Sequence, residues 1–248
     1  MKKKAILLLA SLVLILVFST VKASAMTAKE IIKRRDENEY FSTAKAEAEM
    51  VIIQGRRRIS KTIVSYVEGD KGLVVFTNPR DRGTKFLKHG DNLWMFFPEA
   101  EDPVKISGHM LNQGMMGSDL SYQDLMEADR LTELYLFELI GEEEIDGRPC
   151  YVLEGTAVEG EGVSYYRRKS WVDKERFIGL KEEYYARSGR LLKEMKVNKV
   201  AEIEGRWYPV ESVLEDKLKQ SSQTEFIIKT IEFNPEIPAN TFTLENIR

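Results

Sequence analysis

Residues 44–52 alternate: Ala44, Ala46, Ala48, Met50 and Ile52 share one parity, and Lys45, Glu47 and Glu49 hold the other. Side chains of a strand point to opposite faces at successive positions, so this pattern predicts a strand with one wet face. Downstream, β-branched and aromatic segments are separated by turn signals: Gly69-Asp70-Lys71-Gly72, Asn78-Pro79, His89-Gly90-Asp91-Asn92, Asp146-Gly147, Ser188-Gly189 and Glu204-Gly205. Most read as hairpin turns. Strands are expected near 43–54, 59–68, 73–77, 84–88, 93–97, 134–144, 149–158, 163–173, 177–187, 190–203, 206–219 and 223–234. Nothing alternates with helices of crossover length, so a mainly β fold with an antiparallel meander is expected and a parallel α/β sheet is disfavoured.

Two segments depart from the meander. Thr27 and Glu30 have the spacing of a capping box, which predicts a short helix over 28–38. Residues 105–131 contain Gly108, Gly114 and Gly117, four methionines and little alternation. Ser121 and Asp124 can start a helix that runs to about Arg130. This stretch reads as a partly helical lid or plug across one sheet face. Leu93-Trp94-Met95-Phe96-Phe97 and Leu73-Val74-Val75-Phe76 are apolar on both parities, so both faces of these strands must be covered. Two explanations stand: packing by a helix on one side and loops on the other, or a greasy cavity under a movable lid, for which methionine is well suited.

The first residues change the setting. Lys2, Lys3 and Lys4 precede an apolar run from Ala5 to Phe18, broken only by Ser11, and Ala23-Ser24-Ala25 follows. This is the form of a signal peptide cleaved after Ala25. An uncleaved anchor is the rival, since the apolar stretch approaches the roughly 17 to 25 residues that span a bilayer. No cysteine follows the site to take a lipid, so a soluble exported product is expected. Cleavage leaves 223 of the 248 residues, compatible with one domain over 26–248, and removal of four lysines takes the formal charge from −3 to −7. So acidic a chain is a poor nucleic-acid binder. The single cysteine, Cys150, excludes an internal disulfide and reads as a small buried hydrophobe.

Candidate chemistry is sparse. The two histidines, His89 and His109, lie on an expected turn and in the insertion, without metal-ligand spacing. Ser107-Gly108-His109 and Gly117-Ser118-Asp119 lack the strand-turn-helix setting of a nucleophile elbow. The Glu142-Glu143-Glu144 run reads as a solvated strand end, and no glycine-rich phosphate loop is present. No catalytic residue, metal or cofactor is therefore expected; a hydrolase is the weakest rival.

The runs Asn78–Leu87, Leu93–Pro98, Met116–Leu125, Ile145–Leu153 and Trp171–Lys174, with Leu180, Lys181 and Gly189, resemble the outer-membrane lipoprotein-sorting family related to LolA. The Gly117-Ser118-Asp119 segment is closer to a poorly characterised branch of it. The resemblance implies a strongly curved antiparallel sheet, an incomplete β-barrel closed by short helices that form a lid. It also implies a periplasmic carrier of lipid or lipoprotein acyl chains, working between an inner-membrane exporter and an outer-membrane acceptor. Trp94, Phe96, Met110, Leu111, Met115, Met116, Leu120 and Leu125 are the expected lining between the concave face and the insertion, and the carrier is expected to be a monomer. Asp119 and Asp124 read as turn or helix-start residues. An envelope sensor or adaptor for a protein partner, or a structural envelope protein, is the alternative on the same scaffold.

Overall fold

The computed structural model describes residues 26–248 apart from Tyr40, so the expected signal peptide and its cleavage at Ala25 lie outside the described residues. Helix α1 (Ala28–Glu39) opens with the expected capping box: the Glu30 amide donates to Thr27 Oγ1 (3.2 Å), and the Thr27 amide donates to Glu30 Oε2 (2.7 Å). Strands β1 (Thr43–Gln54), β2 (Arg57–Glu68), β3 (Lys71–Phe76), β4 (Lys85–His89), β5 (Asn92–Phe96) and β6 (Val104–Ile106) form one antiparallel meander. Strands β7 (Tyr135–Ile145), β8 (Arg148–Ala157), β9 (Arg167–Asp173), β10 (Gly179–Tyr185), β11 (Leu191–Ile203), β12 (Arg206–Asp216) and β13 (Ser222–Phe233) form a second.

Pairing of β1 with β13, which sets Met50 opposite Phe226, fuses the two into one 13-stranded antiparallel sheet that does not close into a barrel. Its edges are β6 and β7, neighbours in sequence at opposite ends of the sheet. The chain between them must therefore travel from one edge to the other. Residues 107–134 do so as two 3-10 turns (Gly108–Asn112, Met115–Gly117) followed by α2 (Tyr122–Glu127) and α3 (Leu131–Leu134). The lid expected over 105–131 is thus the link between the meanders. Of the thirteen strands only β6 went unexpected: three residues are too few to display a period.

Alternation sorts the core into faces. On β3–β5, Val74, Phe76, Phe86, Leu93 and Met95 turn toward the insertion, where they join Met50, Ile52, Ile106, Met115 and Tyr122. Leu73, Val75, Leu87, Trp94 and Phe96 turn the other way and pack on Ile237, Phe242 and Ile247 of the C-terminal segment, which ends in α4 (Leu244–Ile247). The double-sided apolar strands are explained by two covers. Helix α1 covers the other end of the sheet with Ile31 and Ile32 on Leu153 and Val172. No helix among the described residues is long and apolar enough to cross a membrane.

Candidate functional site

Carboxylates pin the insertion to the sheet: Asp129 pairs with Lys88 of β4, and Asp119 and Asp124 hold the other half. Asp119 is buried and accepts from Ser222 Oγ (2.7 Å), Thr224 Oγ1 (2.9 Å) and Lys219 Nζ (3.1 Å), all on or beside β13. Asp124 closes a capping box with Ser121 at the start of α2 and also accepts from Tyr165 Oη (2.6 Å) and Lys193 Nζ (2.7 Å) of β11. The two residues read as turn and helix-start positions take those parts and also tie the insertion across the sheet. Around Asp119 the chain folds tightly: the Met115 amide donates to the Leu120 carbonyl (2.7 Å), and a Cβ on Gly114 would stand 2.0 Å from the Ser118 carbonyl oxygen. Only glycine fits there.

Over β1–β6 residues 110–125 of the insertion pack on the sheet: Met115 is buried, and Met110, Leu111, Met116, Leu120 and Leu125 lie against the cluster around Phe76 and Phe86. Over β9–β13 the insertion is held through Asp119 and Asp124 and leaves space behind them. There a cavity of about 400 Å³ opens between the insertion, α1 and the strands. Leu120, Met195, Val197, Leu214, Phe226 and Ile228 supply its apolar lining, with Ser212 among the small residues.

One wall of the cavity is ionic. Glu182 of β10 is buried between Arg35 of α1 (3.2 Å) and Arg168 of β9. Burial raises the Glu182 carboxyl, but the two guanidinium charges outweigh it and hold the group below its usual range. Burial likewise opposes the charge on Arg168, and Glu182 overcomes it, so the guanidinium is held above its ordinary value. That guanidinium lies over the rings of Tyr184 (4.9 Å) and Tyr135 (5.3 Å). Burial pushes the Tyr165 and Tyr184 hydroxyls up, so both remain protonated donors.

Two expected lining residues need correction. Trp94 and Phe96 face the C-terminal segment, because on β5 it is Leu93 and Met95 that have the parity of the insertion side. Of the others, Leu120 reaches the cavity, while Met110, Leu111, Met115, Met116 and Leu125 fill the sealed end. Arg35, Tyr165, Arg168, Glu182, Tyr184 and Lys193 were not anticipated. A signal existed: on β10, Leu180, Glu182 and Tyr184 alternate with exposed-side residues, so an acid occupies the buried parity and requires a buried partner. Cys150 is buried as expected, and desolvation, then the Asp173 charge, push its thiol up to about 11. No group of metal-ligating side chains occurs among the described residues.

Three solved structures share this fold at 26% identity. A DUF1329 family protein from Desulfovibrio piger aligns over 89% of this chain and 98% of its own, with a TM-score of 0.83. A domain named for outer membrane lipoprotein sorting, from Vibrio parahaemolyticus, aligns over 88% and 97% at 0.78, and a LolA superfamily protein from Nitrosomonas europaea over 89% and 99% at 0.74. A family model described only as an uncharacterized protein matches residues 68–248. The chain belongs to this LolA-related family. No curated protein matches it. In this LolA-related chain the motifs from Asn78 to Leu125 that suggested the family form the β3–β4 turn, β4, β5 and the insertion.

Proposed function

We propose that the chain is a periplasmic carrier that binds acyl chains of lipids or lipoproteins and moves them toward the outer membrane, taking them from an inner-membrane exporter and passing them to an outer-membrane acceptor. The observation that carries this reading is the cavity of about 400 Å³ between the insertion and the β9–β13 face, within the roughly 300–1,000 Å³ of ligand pockets. Its apolar lining suits a hydrocarbon, and each buried methylene contributes about 0.8 kcal/mol without any catalytic group. The relatives named for lipoprotein sorting and for LolA support the same reading.

Carriage requires release, and a cover held by polar anchors suits it. Asp119 and Asp124 can exchange their partners for water, whereas an apolar plug on both halves would resist opening. A titration with a fluorescent fatty-acyl probe tests the reading. The wild-type chain should take up about one probe, and Ser212→Trp, which places a large ring in the cavity, should weaken uptake at least about tenfold while leaving the fold intact. Equal uptake by both proteins would remove the cavity from the account.

A second reading has one observation in its favour. Edge strand β7 leaves Leu136 and Ile140 exposed at 68% and 49%, a surface suited to a protein partner added as a further strand, as an envelope sensor or adaptor would use.

A further inference from the structure

The cavity's inner wall holds polar atoms that the chain itself leaves unmatched. Glu127, 4% exposed at the end of α2, accepts from the Ser164 amide (2.8 Å) and Gln123 Nε2 (2.9 Å) through Oε1 alone, and its Oε2 is buried without a partner. Arg168, 7% exposed, donates from Nη2 to Glu182, and its Nε is buried without an acceptor. Both residues line the cavity. Both also flank Tyr135: burial, then the Glu127 charge, push its hydroxyl up, and the Arg168 charge opposes them. The residues of one wall thus hold a buried acceptor and a buried donor that the chain leaves unmatched, an unfavourable state for both.

Charge narrows the choice of what could meet them. The cavity is lined by three cationic side chains (Arg35, Arg168, Lys193) and four acidic ones (Asp36, Asp124, Glu127, Glu182). It adjoins an open vestibule that shares Asp36, Ala128, Leu131 and Tyr208 with it. The vestibule carries Asp36, Asp70, Asp91, Asp129 and Glu133 against Lys88 and Arg130. An anionic head group entering this way meets repulsion at the mouth and finds the guanidinium of Arg168 already held by Glu182.

We infer that the cavity selects an acyl chain attached to an uncharged group that both accepts and donates a hydrogen bond, an amide above all. The carbonyl oxygen accepts a hydrogen bond from Arg168 Nε–H, the amide N–H donates to Glu127 Oε2, and the hydrocarbon lies along Met195, Leu214 and Phe226. A free carboxylate supplies no donor, and a plain hydrocarbon satisfies neither atom. The inference rests on the carrier reading and deepens it by naming the head group.

Competition against a bound fluorescent acyl probe at pH 7 and low salt tests it, with ligands of one chain length: N-palmitoylethanolamine, an N-palmitoylated tetrapeptide, palmitate and hexadecanol. Both amides should displace the probe at concentrations at least about tenfold below palmitate, with hexadecanol between. The tighter of the two amides tells whether a lipid or an acylated polypeptide is the better source of that group. Glu127→Gln, which turns the unmatched acceptor into a donor and removes a charge, should narrow the amide-to-palmitate ratio to about threefold or less. Circular dichroism and the melting temperature confirm that the variant is folded. Equal displacement by palmitate and the amides, or an unchanged ratio in Glu127→Gln, would overturn the head-group assignment while leaving acyl carriage standing. Failure of every ligand and of the probe to bind would overturn both.

Discussion

The two ends of the concave face are built from the same insertion and the same sheet, yet one is sealed and the other is open. Over β1–β6 residues 110–126 of the insertion meet apolar side chains with apolar side chains, and Met50, Phe76, Phe86 and Leu93 have almost no exposure; only farther along do Asp129 and Arg130 pair with Lys88 and Asp91. Over β9–β13 the insertion meets the sheet through Asp119 and Asp124 and the β8–β9 loop through Glu127, and a cavity remains behind those contacts. Apolar contact is close-packed and nondirectional, so it fixes one end of the cover. Polar contact is directional and can be traded for water, so it sets a stable resting position that can still open. On the proposed carrier reading, the difference gives stability to one end and binding to the other.

The largest expected effect lies in the sealed end. Phe86→Ala should cost about 3–5 kcal/mol of stability by chemical denaturation, with probe affinity of the folded fraction unchanged. A large loss of affinity with little loss of stability would reverse the assignment. Next is the ionic wall of the open end: Glu182→Gln should cost about 3–5 kcal/mol, because Arg35 and Arg168 lose their shared counter-charge. Its pH dependence has a definite sign. The folded carboxyl is held below its ordinary 4.5, so the unfolded chain binds the proton more readily. The contribution is complete above about pH 5 and is lost as the pH falls through the folded value. Acid denaturation of Glu182→Gln should therefore depend less steeply on pH in that window than the wild type does.

A smaller effect belongs to the anchor. Asp119→Ala removes the acceptor for Ser222, Thr224 and Lys219 and should cost about 2 kcal/mol. Hydrogen exchange should rise across residues 113–121 and probe entry should quicken, while β1–β5 stay protected. The least effect on stability belongs to Ser212→Trp, within about 1 kcal/mol because the ring enters open volume rather than packed core. Its signature is lost uptake alone.

How the sequence reads follows from the same contrast. Alternation, turn residues and the Thr27 and Ser121 caps are local signals, and they placed twelve strands, both main helices and the insertion. Strand parity also showed that β3 and β5 must be covered twice. It could not show which cover lies on which face, and that is why Trp94 and Phe96 were expected on the wrong side: the C-terminal segment that hides them is over 140 residues away along the chain. The cavity depends on the pairing of β1 with β13 and on α1 reaching β10, contacts with no local signature. An acid at a buried position of β10 was the one trace of it that alternation could have exposed.

Native mass spectrometry of the exported protein purified from its own envelope tests the central claim most directly. The account predicts a folded chain carrying one acylated ligand, and an apo mass for Ser212→Trp prepared in parallel. A clean apo mass for the wild type that stays unchanged when acyl amides and lipids are added would contradict it.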